Sequence, residues 1–302
     1  MTYTVQASDG LDTDTQTVVI TINGSNDAPS VEIITADGDS AAALLDETES
    51  PLTATGTLTV TDLDITDTVD ASVISVADTG DTATAYSTAL LSMLTLADAT
   101  DAEPAGTTTI LNNTETSDTL TWTFDSGAET FDYLNNGEQL VLTYTVQASD
   151  GTDTDTQTVV ITINGTNDAP SVEIITADGD SAAATLPESD IPLTANGTLT
   201  VTDADITDTV TASVISVADT GDTATAYSTP LLNMLTLDTA TILDNTETSD
   251  TLTWTFDSGA ETCDYLNNGE QLVLTYTVQA SDGTDTDTQT VVITINGTND
   301  AP

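Results

Sequence analysis

Apolar residues in this chain alternate with threonine over long stretches. "GTLTVTD" (56–62), "TLTWTFD" (119–125), "QLVLTYTVQASD" (139–150) and "TQTVVITING" (156–165) place apolar side chains at nearly every second position. That is the period of a half-buried β-strand. Threonine suits the opposite, wet face because it is β-branched yet polar. Asp37-Gly38, Asn136-Gly137 and Asp150-Gly151 mark turns between these runs, since glycine adopts the backbone conformations that tight turns need. One segment departs from the pattern. "AYSTALLSMLTL" (85–96) spaces its leucines and methionine as a helix would, and a short helix is expected there. Trp122 and Trp254 fall in matching strands and read as core anchors.

The pattern repeats. "YTVQASDGTDTDTQTVVITINGTNDAP" runs from Tyr144 to Pro170 and recurs unchanged from Tyr276 to Pro302; the copy from Tyr3 to Pro29 differs only at Leu11 and Ser25. The offsets are 141 and 132 residues, which are domain-sized rather than solenoid-sized periods. The nine-residue difference lies between "LADATDAEPAGTTTILNNTETSD" (96–118) and "LDTATILDNTETSD" (237–250). Such a change around Pro104 and Gly106 marks a surface loop. The expected organisation is a C-terminal piece of a repeat (1–29) followed by two full repeats (30–170 and 171–302). The chain starts and ends in one repeat phase, as an excerpt of a longer array would. The expected fold is all-β, with tandem immunoglobulin-like sandwiches that each carry a short helical insertion.

Charge narrows the function. The chain has 51 acidic residues and no lysine, arginine or histidine, for a formal charge of −51. Phosphate recognition needs basic side chains, so nucleic acid and anionic membrane surfaces are excluded as partners. Cations are the expected neutralisers. A hydrophobic content of 38% supports folded cores over an acidic disordered chain. No apolar run is long enough to span a bilayer, and Met1 leads directly into strand-like sequence without a signal peptide. Export by a signal elsewhere, or excision from something longer, is the expectation. Cys263 is the only cysteine and stands where the first repeat has Phe131; it reads as a smaller core residue.

The acids cluster at strand ends and turns, in equivalent places of each repeat. "VTDLDITD" (60–67) becomes "VTDADITD" (201–208), and "FDYLNNGE" (131–138) becomes "CDYLNNGE" (263–270). "DETES" (46–50) becomes "PESDI" (187–191), keeping acids at Glu47/Glu188 and Glu49/Asp190. Asp-x-Asp at a strand edge puts two carboxylates on one side, where they repel without a metal and chelate with one. Oxygen-only clusters suit calcium, which takes six to eight oxygens in flexible geometry; zinc and copper are disfavoured without histidine. Asp62/Asp64 and Asp203/Asp205 are therefore read as metal ligands. The Asn-Asp pairs before Ala-Pro, Asn26-Asp27 and Asn167-Asp168, are read as junction residues. Asp-Thr runs such as Asp12-Thr13-Asp14 are read as a solvated face.

These motifs together resemble the VCBS repeat of very large bacterial surface and biofilm adhesins, many exported by type I (RTX-type) secretion. More distantly the chain resembles cadherin domains, in motifs and in their order. The resemblance covers both full repeats. It implies cadherin-like sandwiches at the cell surface, with Ca²⁺ at each junction. Carried over, the junction between the full repeats would use Glu47 with Asp132 or Glu138, then Asn167 and Asp168 of the linker, then Asp203, Asp205 and Asp282. Glu188 is the counterpart of Glu47 in the second repeat. The junction at Asn26 and Asp27 would use Asp62, Asp64 and Asp150. Gly165 and Ala169 stand where the cadherin linker has further ligands, which implies fewer or weaker ions. Pro170 fixes its own φ and biases Ala169 towards an extended conformation.

The expected function is a calcium-rigidified spacer that holds a distal adhesive domain away from the cell. An extracellular fibre or matrix protein, with chains associating laterally or end to end, is the alternative. So is a module that itself grips a sugar or protein, for which Tyr86 and Tyr227 beside the variable loops are the only hint. Paired carboxylates could in principle hydrolyse glycosides, but every candidate pair belongs to a calcium-like motif, and no enzyme is expected.

Overall fold

The computed structural model describes residues 1–48, 51–83, 85–86, 88–98, 107–224 and 226–299. The architecture is β throughout. After a hairpin of β1 (Thr2–Ser8) and β2 (Thr13–Val19) come nine strands: β3 (Ser30–Glu32), β4 (Ala42–Asp46), β5 (Thr53–Thr61), β6 (Thr68–Gly80), β7 (Leu94–Asp98), β8 (Thr107–Asn112), β9 (Ser117–Asp125), β10 (Gln139–Ser149) and β11 (Thr154–Asn164). The series then repeats as β12 (Ser171–Glu173), β13 (Ala183–Pro187), β14 (Thr194–Thr202), β15 (Val210–Gly221), β16 (Leu235–Leu237), β17 (Thr241–Leu243), β18 (Ser249–Asp257), β19 (Gln271–Ser281) and β20 (Thr286–Asn296).

Each series closes a two-sheet sandwich around its own core. In the first, a sheet of order β4-β11-β10-β6-β8 faces one of order β3-β5-β9-β7; in the second, β13-β20-β19-β15-β17 faces β12-β14-β18-β16. Among the described residues the only parallel pairs are β4 with β11 and β13 with β20. The alternation seen in the sequence maps onto the two faces. Along β10, Leu140, Leu142, Tyr144, Val146 and Ala148 are buried while the residues between them are not. Leu120, Trp122 and Phe124 of β9 meet them from the opposite sheet, in one continuous core. Trp122 and Trp254 are fully buried, and each indole N–H donates to a backbone carbonyl, of Ser40 (2.6 Å) and Ser181 (2.7 Å). The expected turn glycines, Gly38, Gly137 and Gly151, all have positive φ.

The helix expected over 85–96 is corrected. It shrinks to one 3-10 turn at Leu90–Met93, followed directly by strand β7; Leu231–Met234 and β16 do the same in the second sandwich. Leu94 and Leu96 pair with Phe124 and Trp122 in the sheet, so sheet pairing overrides the helical spacing. Ser87 of that segment, Glu49, and the loop around Pro104 and Gly106 lie outside the described residues.

The hairpin at the start carries the same sequence as β10–β11 with a different outcome. Tyr144 is fully buried, but its counterpart Tyr3 is 49% exposed. No opposing sheet covers β1–β2 among the described residues.

Candidate metal centres at the sandwich junctions

Strands β14 and β19, in opposite sheets, both end at one pole of the second sandwich, and each runs straight into an acidic turn. Asp203 and Asp205 follow β14, and Asp282 follows β19. The linker from the first sandwich is tied to this pole by three contacts. The Asn167 side-chain amide donates to Asp282 (3.0 Å) and Asp285 (3.1 Å), and the Asp168 backbone N–H donates to Asp205 Oδ2 (2.7 Å). Just beyond, the Val172 N–H donates to Asp287 (2.9 Å).

The carboxylates here are short of donors. Asp203 and Asp205 are 4% and 1% exposed. Asp203 Oδ1 accepts from the Asp205 N–H (3.0 Å). Asp203 Oδ2 and Asp205 Oδ1 are buried with no hydrogen-bond partner. Together with Asp208 they can offer three oxygens within 4.8 Å of one another. Burial raises the Asp203 carboxyl to about 6, eased by the Asp205 N–H and pushed further by Asp208, Asp282 and Asp168. Burial likewise raises Asp205 to about 7, eased by the Asp168 N–H, with Asp168, Asp203 and Asp208 adding repulsion. Buried carboxylate oxygens without donors or cations are costly. A hard divalent cation satisfies this donor set, as carboxylates, amides and carbonyls are calcium's ligands.

The first sandwich repeats the arrangement. The Asn26 amide donates to Asp150 (2.9 Å) and Asp153 (3.0 Å), and the Asp27 N–H to Asp64 (2.8 Å). Asp62 Oδ1 accepts from the Asp64 N–H (2.8 Å), while its buried Oδ2 has no hydrogen-bond partner. Here the trio within 4.8 Å is Asp62, Asp67 and Asp150.

The first sandwich also reaches across to the second. The Asn135 side-chain amide makes a short hydrogen bond to Asp208. Asp208 is raised by burial and by Asp282, eased by that amide, and raised further by Glu138. Glu138 in turn caps its own loop by accepting from the Asn135 N–H (3.1 Å). Glu47 lies deeper. It is 3% exposed, and its Oε1 accepts from the Thr166 N–H (3.0 Å) and, in a short bond, the Thr166 hydroxyl. Glu188 holds Thr298 the same way and keeps a buried Oε2 without a hydrogen-bond partner, as does Asp132 at Oδ1. Neither Glu47 nor Asp132 belongs to a close carboxylate trio among the described residues. Glu47 sits against Thr166 at the start of the linker rather than at its far pole.

No family model and no curated protein matches the chain. Solved structures match only loosely. The adhesive subunit CfaE of an Escherichia coli fimbria is 10% identical over 92% of this chain and 90% of its own, at a TM-score of 0.32. The zebrafish RET cadherin-like domains are 11% identical over 97% and 56%, at 0.25. An endo-fucoidan hydrolase of glycoside hydrolase family 107 is 16% identical over the whole chain, which spans 34% of its length, at 0.24. At these scores the likenesses carry no argument about function.

Sequence reasoning missed Asp67 and Asp208, Asp153 and Asp285, and Asn135. The signal for the first pair was present: the third acid of Asp-x-Asp-x-x-Asp recurs in both copies of that motif. Asn135 carries no charge, and its sequence separation from Asp208 hides the contact.

Proposed function

We propose that the chain is a run of tandem sandwich repeats, 30–170 and 171–302 with a preceding partial copy, which serves as a calcium-stiffened spacer in an extracellular surface adhesin. The observation that carries this reading is the pair of buried, unpartnered oxygens on Asp203 and Asp205, closed over by linker residue Asp168 through its backbone N–H. A Ca²⁺ held there would draw on Asp203, Asp205, Asp208 and Asp282 of one sandwich, and on Asn135, Glu138, Asn167 and Asp168 from the other side. It would neutralise like charges and tie the two sandwiches to a common linker. Extracellular calcium modules bind at roughly 10⁻⁴–10⁻³ M. One site at about 100-fold excess adds ~2.7 kcal/mol, a large share of a domain's typical ~5–15 kcal/mol. The carboxylate pairs that glycoside hydrolysis would need are these same junction acids, which backbone amides already engage.

The test is a thermal melt with small-angle scattering, in EDTA and across a calcium titration, against sodium at equal ionic strength. The reading expects a higher melting temperature and an elongated particle with calcium, and in Asp205→Asn loss of the elongation and of the second sandwich's share of the rise in melting temperature. A chain indifferent to calcium beyond the sodium control would overturn it.

A further inference from the structure

Strand β15 of the second sandwich is left without a hydrogen-bonded neighbour along most of one edge, among the described residues. Strand β15 is paired by β19 from Thr211 to Gly221. On its other side, β17 pairs only with Val210 and Thr211, and the last backbone bond is from the Ala212 N–H to Ala240 O (2.8 Å). Among the described residues, no strand pairs with the outer edge of Ser213–Gly221. Beside this edge runs a groove of about 560 Å³, in which Val214, Leu232, Leu235 and Leu237 lie among polar residues that include Asn233 and Thr236. Ile215, 46% exposed, sits at the bulge of the same edge. The first sandwich has a groove of about 490 Å³ with Val73, Leu91, Leu94 and Leu96 in its lining, next to an edge of β6 that no strand pairs beyond Ser72 among the described residues.

We infer that this flank is a strand-addition site for an extended peptide that is apolar in the middle and basic at its ends. An unpaired strand edge offers a row of backbone donors and acceptors, and an added strand pairs them while its alternate side chains fill the groove. A small apolar ligand would fill the groove and leave that row unused. A glycan would want an aromatic platform, and no aromatic residue lines the groove. Charge decides between peptides. Acids stand at the rim, with Asp238 lining the groove and Asp219 further along β15, and the chain has no lysine, arginine or histidine to answer them. A second copy of this chain could offer that rim no positive charge. A peptide with lysine or arginine at its ends meets the rim with opposite charge.

The probe is a fluorescent peptide of alternating valine and threonine with lysines at both ends, titrated onto the full chain in EDTA and in calcium. Saturable binding is expected in both, so failure of the junction reading leaves this one standing. Ile215→Lys and Leu232→Lys should each weaken binding by about tenfold or more; Ile191→Lys, an exposed change off the groove, should not. A peptide methylated at alternate backbone nitrogens should not bind, because it cannot pair with the edge. Binding that ignores both the edge variant Ile215→Lys and the groove variant Leu232→Lys, or that oligolysine reproduces and high salt abolishes, would overturn the proposal in favour of bulk charge attraction. Chain dimers that Ile215→Lys dissolves would overturn it in favour of a second copy as the occupant.

Discussion

Phe131 and Cys263 hold one position in the two sandwiches, both buried and both in the left-handed backbone region at φ 66° and 64°. Phe131 packs edge-on against Tyr86, with ring centroids 6.4 Å apart. Cys263 offers Tyr227 no such ring. Burial, and then Glu261, Asp264 and Glu188, push its thiol up to about 12, so the sulfur is inert at neutral pH. Cys263→Phe should stabilise the second sandwich by about 1–2 kcal/mol, since it restores apolar area and an aromatic pair at a site whose twin already accepts phenylalanine. Urea unfolding checks it, and a loss of stability would mean the second corner has closed around the smaller side chain. Asp180 works in the opposite way. Burial pushes its carboxyl up, but bonds from Thr198 (2.7 Å), the Ile175 N–H (3.0 Å) and Thr200 (2.8 Å) outweigh it and hold it below the usual range. Its contribution is present above the ordinary carboxylate pKa and fades as pH falls through the lowered one. Asp180→Asn should cost about 1–3 kcal/mol, read by the same unfolding experiment at neutral pH.

Among the elements, the linker was legible in part. The period-2 alternation and the repeated turn glycines gave the strands and hairpins, because those depend on local sequence. The leucines of 85–96 misled, because their partners Trp122 and Phe124 lie far along the chain. The acids at strand ends were readable as a site; the crossing of Asn135 to Asp208 was not, since only the folded linker brings the two sandwiches together. Gly165 was read as a missing ligand, and its position explains the glycine. A Cβ there would land on the carbonyl oxygens of Leu134 and Asn135, while its N–H donates to Glu138 O (3.0 Å). The linker starts by lying flat on the loop that carries Asn135 and Glu138. Gly165→Ala should lift that loop, lowering the first sandwich's stability by more than about 1 kcal/mol and weakening the calcium response of the junction. Gly297→Ala makes the same clash against Asn267 and Leu266, with no second junction beyond it among the described residues, so it should leave that response intact. Equal calcium responses in the two variants would show that the loop does not feed the junction.

Over the whole molecule, pH and calcium should act in opposition. The folded carboxyls of Asp203 and Asp205 sit at about 6 and about 7, above the ordinary ~3.9 of an unfolded aspartate. Between those values the folded chain binds more protons than the unfolded one. The stabilisation is therefore complete below the unfolded pKa and is lost as pH rises through about 6 and then 7. In EDTA, the melting temperature of the second sandwich should fall between about pH 5 and pH 8. In saturating calcium the slope should reverse, because ligands must be deprotonated to bind metal. The general repulsion among 51 acids pushes the EDTA result the same way, and salt screens that part while leaving the buried pair largely untouched. The double variant Asp203→Asn/Asp205→Asn separates the two. It should be more stable than the parent in EDTA at neutral pH, because two buried charges become neutral amides, and it should gain little from calcium. A variant less stable than the parent in EDTA would mean that the two carboxylates hold the pole together by hydrogen bonding alone, and the cation would have no structural debt to settle there.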